Sequence, residues 1–150
     1  MDNGGRFIRR WRDQHHMILE VTEIFSSAHY YEQKLWDENK NREAFGACYT
    51  KYGHGHNYKA VVGVQISDGD LTEDDLKKNR DFYQNILKKV CSVLDHQHLN
   101  FDIPAFADRN PTTENIALYL QEELLKALPR NVLKSVRLYE MDDLWVEIQI

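Results

Sequence analysis

An α+β domain is the fold class this sequence predicts: a four-stranded antiparallel sheet carrying two helices on one face, in the order β-β-α-α-β-β. Three observations predict it. Two segments of alternating character come early, two segments of helical period follow them, and two short alternating segments close the chain. The length of 150 residues suits one core, with residues 1–16 as a polar N-terminal arm and residues 17–150 as a single domain.

Taken in order, Met17 to Phe25 (MILEVTEIF) reads as a strand running into Ser26-Ser27-Ala28-His29. Residues 30–53 have weak periodicity and read as a long loop, a length that is often functional. From His56 to Ile66, Tyr58, Ala60, Val62, Val64 and Ile66 share one strand face, and Lys59 and Gln65 point to the other. Ser67 to Asp75 is acidic and turn-rich. Between Asp81 and Leu94, the spacing of Phe82, Ile86, Val90 and Leu94 predicts an amphipathic helix. Leu99 to Pro111 holds two prolines and reads as loop. Thr112 then suits an N-cap, with Glu114 favourable in the first turn and Ile116, Leu120, Leu124 and Leu128 marking a second helix. Val136, Leu138 and Glu140 share a face of the third strand. Met141 to Asp143 makes a turn, and Leu144, Val146, Ile148 and Ile150 share a face of the fourth.

Composition narrows the function. A formal charge of −5 argues against a general nucleic-acid binder, which needs a basic footprint. No apolar run reaches the ~20 residues of a membrane span. The basic N-terminus has no apolar stretch after it, so the expectation is no secretory signal and a cytoplasmic location. Cys48 and Cys91, the two cysteines, are then expected as free thiols.

Histidines carry the first chemical signal. His54 and His56 stand at i and i+2 at a strand start, in Gly53-His54-Gly55-His56. Period-2 geometry sends both rings to one side, and the glycines allow a close backbone approach. Two such rings suit zinc, and His29 at the end of the first strand is the candidate third ligand. Chance is the competing explanation, because a chain with seven histidines readily contains one such pair. A cupin site is disfavoured, since Lys59, Ala60 and Val61 stand where its glutamate ligand is expected. His98 and the His15-His16 pair have no partner pattern and read as surface residues.

A second constellation follows the first predicted helix. At a helix-to-loop turn, Asp95 and His96 can both reach one site, with the imidazole as general acid. Cys48 lies six residues before His54; near Zn²⁺ or a protonated histidine its pKa would be lowered and it could act as a base, whereas a plain buried thiol is the alternative. Strand parity turns Glu140 inward, where an unpaired carboxylate is costly and a fork of N–H donors on a ligand would satisfy it. A kink at Met141 would instead return it to solvent.

Together, FSSAH, FGAC, GHGHNY, LDHQHLN, PTTEN and LYE, in that order, resemble the motifs of 6-pyruvoyl-tetrahydropterin synthases and their bacterial 6-carboxytetrahydropterin synthase relatives, over residues 17–150. The resemblance implies the tunnelling fold, in which trimers close a twelve-stranded barrel and two trimers stack into a homohexamer with active sites between subunits. It implies Zn²⁺ on His29, His54 and His56; Cys48 as proton-abstracting base; Asp95 and His96 as a relay pair; and Glu140, with Thr112, Thr113 and Glu114, around the pterin. The implied reaction is elimination of triphosphate from 7,8-dihydroneopterin triphosphate, a carbon–oxygen lyase step of tetrahydrobiopterin-type or queuosine-type biosynthesis. No nicotinamide is required, and the chain has no G-x-G-x-x-G.

Two departures stand out. The C-x5-H-x-H spacing from Cys48 resembles the pyruvoyl-type enzymes, although related bacterial proteins also carry the longer gap, so the product stays open between the pyruvoyl and carboxy forms. From Asp68 to Asn79 the chain lacks the Gly-Met-hydrophobic strand of many relatives, so the second strand is expected to be short, frayed or partly helical there. The alternatives are a non-catalytic pterin-binding or assembly protein on the same fold, and a dihydroneopterin aldolase-like activity. Retention of Cys48, Asp95 and His96 speaks against the first, and Cys48 in place of a glutamate speaks against the second.

Overall fold

A computed structural model describes residues 17–67 and 72–150. The polar arm with His15 and His16, and residues 68–71 of the segment that departs from the relatives, lie outside the described residues. Strand β1 (Met17–His29) pairs antiparallel with β2 (His54–Ile66) over its full length, from Met17↔Ile66 to His29↔His54. Both strands are 13 residues long, so the first strand runs beyond Phe25 and delivers His29 to its last position. Strand β4 (Leu133–Met141) pairs antiparallel with β2, and β5 (Leu144–Gln149) with β4.

Among the described residues the sheet has five strands, not four; with Gln97–His98 as β3, their order is β3-β1-β2-β4-β5. The extra strand, β3 (Gln97–His98), runs parallel to β1 at Ser27 and Ala28, which makes the sheet mixed. A two-residue strand has no alternation to betray it, so the loop reading from Leu99 began just after an element that periodicity cannot see.

Two long helices lie on one face, as expected, with corrected limits. Helix α2 spans Glu73–Ser92 and begins eight residues before the expected Asp81. Its start is a capping box: the Thr72 hydroxyl accepts from Asp75 N–H, and the Asp75 carboxylate accepts from Thr72 N–H. Glu73, Asp74 and Asp75 favour the positive end of the helix dipole. Within the acidic run, residues 72–75 are therefore a helix start, not a turn. The buried stripe is Leu87, Cys91 and Leu94, and Phe82 is exposed. Helix α3 (Thr113–Ala127) matches its expectation: Thr112 caps it, and Ile116, Leu120, Leu124 and Leu128 are buried.

The expected long loop contains a further helix, α1 (Glu38–Phe45), and a 3-10 turn over Gly46–Cys48. Helix α1 is polar on nearly all sides, so it shows no apolar period. Caps and pairs hold it instead. The Asp37 carboxylate accepts from Lys40 N–H at 2.8 Å, and Arg42 pairs with Glu38 at 2.6 Å. Asn41, buried, donates to three carbonyls of the preceding turn and accepts from Gln33 N–H.

Alternate residues of β1, β2 and β4 form the core with the helices: Val21 and Phe25; Tyr58, Ala60, Val62 and Val64; Val136 and Leu138. Carried on to the strand ends, the same alternation places His29, His54, His56 and Glu140 on that core-facing side. The site is thus a polar extension of the apolar core, fixed by a register that cannot slip without exposing the core.

Candidate metal and ligand site

Strand pairing assembles three imidazoles. His29 and His54 are register partners, and His56 is opposite Ser27, two residues back. The ring centroids of His29, His54 and His56 are 4.8, 4.8 and 5.1 Å apart, at steep mutual angles. One nitrogen from each lies within 4.8 Å of the others, and His29 Nε2 is 3.2 Å from His54 Nε2. Gly53 permits this closeness: at φ +71° its backbone passes so near the His29 carbonyl that a Cβ would sit 2.0 Å from the oxygen.

The donor set fits a cation. His29 is fully buried, and burial followed by the nearness of His54 and His56 drives its pKa down to about 4. Burial is also the largest cause lowering the pKa of His56. Both rings are therefore neutral near pH 7, the state in which imidazole is a ligand. His29 Nδ1 lies 3.1 Å from the Pro111 carbonyl and 2.9 Å from Tyr58 Oη, which assigns a proton to Nδ1 and leaves Nε2 bare toward the other rings. His56 Nε2 is buried with no hydrogen-bonding partner among the described residues. It lies 3.2 Å from Glu140 Oε1, but not along a hydrogen-bond direction. An unsatisfied buried nitrogen on one of three converging rings is what a tetrahedral N-ligand site leaves for its metal.

Around the tripod stand two more of the expected residues. Cys48, a free thiol at the end of the 3-10 turn, has its Sγ 4.0 Å from His54 Nε2. In the chain alone its pKa is raised, first by burial and then by Glu140; the lowering expected from the sequence was tied to a neighbouring Zn²⁺ or protonated histidine. Glu140 is 8% exposed and accepts a 2.5 Å hydrogen bond from the Thr113 hydroxyl, so no kink at Met141 turns it outward. Thr113 sits in the first turn of α3, with Thr112 as cap and Glu114 beside it. Pro111, Thr113 and Glu140 thereby tie the start of α3 to both His29 and His56.

Asp95 and His96 form a separate pair. Asp95 Oδ1 accepts Ser26 N–H at 2.8 Å and Oδ2 lies 2.8 Å from His96 Nδ1. His96 N–H donates to Ser26 O at 2.6 Å, holding the residue at φ +58°. The Ser26 hydrogen bond is the first cause, and the His96 bond the second, of a lowered Asp95 pKa. His96 borders a cavity of about 420 Å³ lined also by Ser26, Ser27, Ala28, Gly55, His56, Asn57 and Gln97. Of these, Ser26, Ala28 and Asn57 alternate with the tripod-bearing residues and so turn their side chains to the opposite face of the sheet. A single chain brings His29, His54, His56, Cys48, Glu140 and Thr113 together, while Asp95 and His96 are held apart on the Ser26 backbone of β1.

Sequence reasoning missed Tyr58 and Pro111 as partners of His29; Tyr58 reads as a core aromatic, and a backbone carbonyl leaves no side-chain signal. His98 is not a plain surface residue, since its ring packs on Phe101 with centroids 4.3 Å apart.

The family model described as 6-pyruvoyl tetrahydropterin synthase matches residues 18–150. The 6-pyruvoyl tetrahydrobiopterin synthase of Pongo abelii is 39% identical over 119 residues, covering 79% of this chain and 81% of the relative. A dihydroneopterin monophosphate aldolase of Pyrococcus furiosus is 32% identical over 83% of this chain and 90% of its own. The structure of Caenorhabditis elegans 6-pyruvoyl tetrahydropterin synthase superposes with a TM-score of 0.76 at 27% identity, covering 89% of this chain and 95% of that one.

Proposed function

From the premise that the chain belongs to the 6-pyruvoyl tetrahydropterin synthase family, we propose that it is a zinc-dependent lyase that eliminates triphosphate from 7,8-dihydroneopterin triphosphate to give 6-pyruvoyl-tetrahydropterin. The observation that carries this reading is the convergence of a three-histidine site with a thiol 4.0 Å from one ring and a buried carboxylate 3.2 Å from another. A Zn²⁺ ion on His29, His54 and His56 would act as a Lewis acid toward the hydroxyls of the substrate side chain.

The chain's own groups do the rest. Glu140, held by Thr113, accepts the N–H fork at the pterin edge and so orients the ring. Cys48 as thiolate takes a proton from the side chain held over the tripod. His96, fixed in tautomer by Asp95, returns a proton. Triphosphate leaves with its bonding electrons, and the oxidation of the side chain is matched by reduction of the ring.

The position of His96 beside Ser26, Ala28 and Asn57, side chains of the sheet face away from the tripod, supports an active site shared between copies, with the tripod, Cys48 and Glu140 from one subunit and Asp95–His96 from its neighbour. The sites-between-subunits arrangement and the homohexamer implied by the sequence resemblance belong to the same proposal. The names of the relatives favour the pyruvoyl product over 6-carboxytetrahydropterin. The aldolase relative makes side-chain cleavage the rival activity. Incubating the zinc-loaded protein with dihydroneopterin triphosphate and identifying products by mass decides among them. Triphosphate with 6-pyruvoyl-tetrahydropterin is expected. Acetaldehyde would move the assignment to the carboxy branch, and absence of triphosphate would refute the lyase.

A further inference from the structure

His98 is one residue of the LDHQHLN motif to which the proposed reaction gives no task. It lies in β3, beside the end of β1, and its ring sits between Tyr30 and Phe101, with centroids 5.9 and 4.3 Å away. Its Nε2 is 3.1 Å from the Tyr52 carbonyl oxygen. Its Nδ1 is buried with no hydrogen-bonding partner among the described residues. A carbonyl can only accept, so Nε2 carries the proton and donates, and Nδ1 is bare.

The accepting carbonyl belongs to the peptide plane between Tyr52 and Gly53. That plane sets the positive φ of Gly53, through which His54 is brought against His29. The same turn begins at Cys48, whose carbonyl accepts from Tyr31 N–H at 2.8 Å, and is closed by Gly53 N–H on Thr50 O at 3.3 Å. Two residues along from His98, the Asn100 side chain brackets Tyr30, accepting from its N–H and donating to its carbonyl, both at 3.0 Å. One short segment therefore grips the residue after His29 and the residue two before His54. It spans the ends of both strands that bear the tripod, and it continues directly from His96.

We propose that His98 is a positioning residue: its Nε2–H, with the ring braced between Tyr30 and Phe101, pins the Tyr52–Gly53 peptide and so sets how closely the Cys48 thiol stands to His54. This rests on Cys48 and the three histidines being the working groups. His98→Phe keeps the aromatic packing and removes the donor. His98→Gln places an amide donor at a similar reach.

The test uses full-length, zinc-loaded protein and reads two quantities without substrate: the alkylation rate of each cysteine by iodoacetamide, resolved by peptide mass, and the rate of zinc release to a colorimetric chelator. Cys91, 1% exposed in the core, is the internal control for global loosening. His98→Phe is expected to speed both Cys48 alkylation and zinc release by about fivefold, the effect of one net hydrogen bond, with Cys91 unchanged. His98→Gln is expected to return both rates to within about twofold of the parent. Parent-like rates in His98→Phe, acceleration of Cys91 together with Cys48, or failure of His98→Gln to rescue would each overturn the proposal. Neither readout needs turnover, so a failure of the lyase assignment and a failure of this tether are separately visible.

Discussion

Gly53→Ala puts the assembly of the tripod under the most direct mechanical test. An added Cβ would lie 2.0 Å from the His29 carbonyl oxygen and 2.6 Å from its carbon. Backbone atoms cannot swing away as a side-chain tip can, so the ends of β1 and β2 must part by at least about 1 Å to restore ordinary contact. Metal–ligand distances tolerate only about 0.2 Å. A separation of that size therefore removes His29 from a site shared with His54. The φ of +71° adds about 1–2 kcal/mol of conformational strain for alanine. Stability should fall by roughly 2 kcal/mol, a Tm loss of about 4–8 °C in a domain of this size. Zinc affinity, measured by competition with a chromogenic chelator, should fall at least about tenfold. A folded Gly53→Ala protein that binds zinc within twofold of the parent would refute the claim that this contact sets the tripod.

Other expectations follow from the same geometry. Tyr58→Phe removes the nearer of the two partners of His29 Nδ1 and leaves the Pro111 carbonyl, so zinc affinity should fall by about tenfold, the low end of outer-shell effects, as read by the same competition. The Asp95 pKa is lowered in the fold, so its contribution to stability is present above the unfolded value near 4 and is lost as pH falls through the folded value. Thermal melts of Asp95→Asn should accordingly lack part of the parent's decline in that acid range, and an identical decline would count against the Ser26–Asp95–His96 arrangement. If the site is shared between copies, Cys48→Ala and His96→Ala proteins, each inactive alone, should regain turnover when co-assembled; no recovery in verified mixed oligomers would place the whole site in one chain.

Much of this was readable from the residues because it rests on period and parity. Alternation in β2 announces the face shared by His54 and His56, and parity in β4 turns Glu140 inward. The pairing of His29 with His54 needs only the two strands to meet at those ends. What escaped has no period. Helix α1 is held by Asp37, Arg42 and the buried Asn41 rather than by an apolar stripe. The start of α2 lies in a Thr72–Asp75 capping box inside a run that looks like an acidic turn. Strand β3 is two residues long. That burial, and after it Glu140, raises the Cys48 pKa in the chain alone is equally invisible to local pattern, because both come from tertiary neighbours. The placement of His96 beside Ser26, Ala28 and Asn57 follows from β3 joining the edge of β1, a tertiary fact no local pattern carries.

The central claim is that three histidines hold zinc while Cys48 moves the proton. Triphosphate release from dihydroneopterin triphosphate, measured beside bound zinc in the parent and in Cys48→Ala, tests it most directly. The account predicts equal zinc in both proteins, about one per chain, with release only in the parent. Parent-like release from Cys48→Ala, or loss of its zinc, would contradict it.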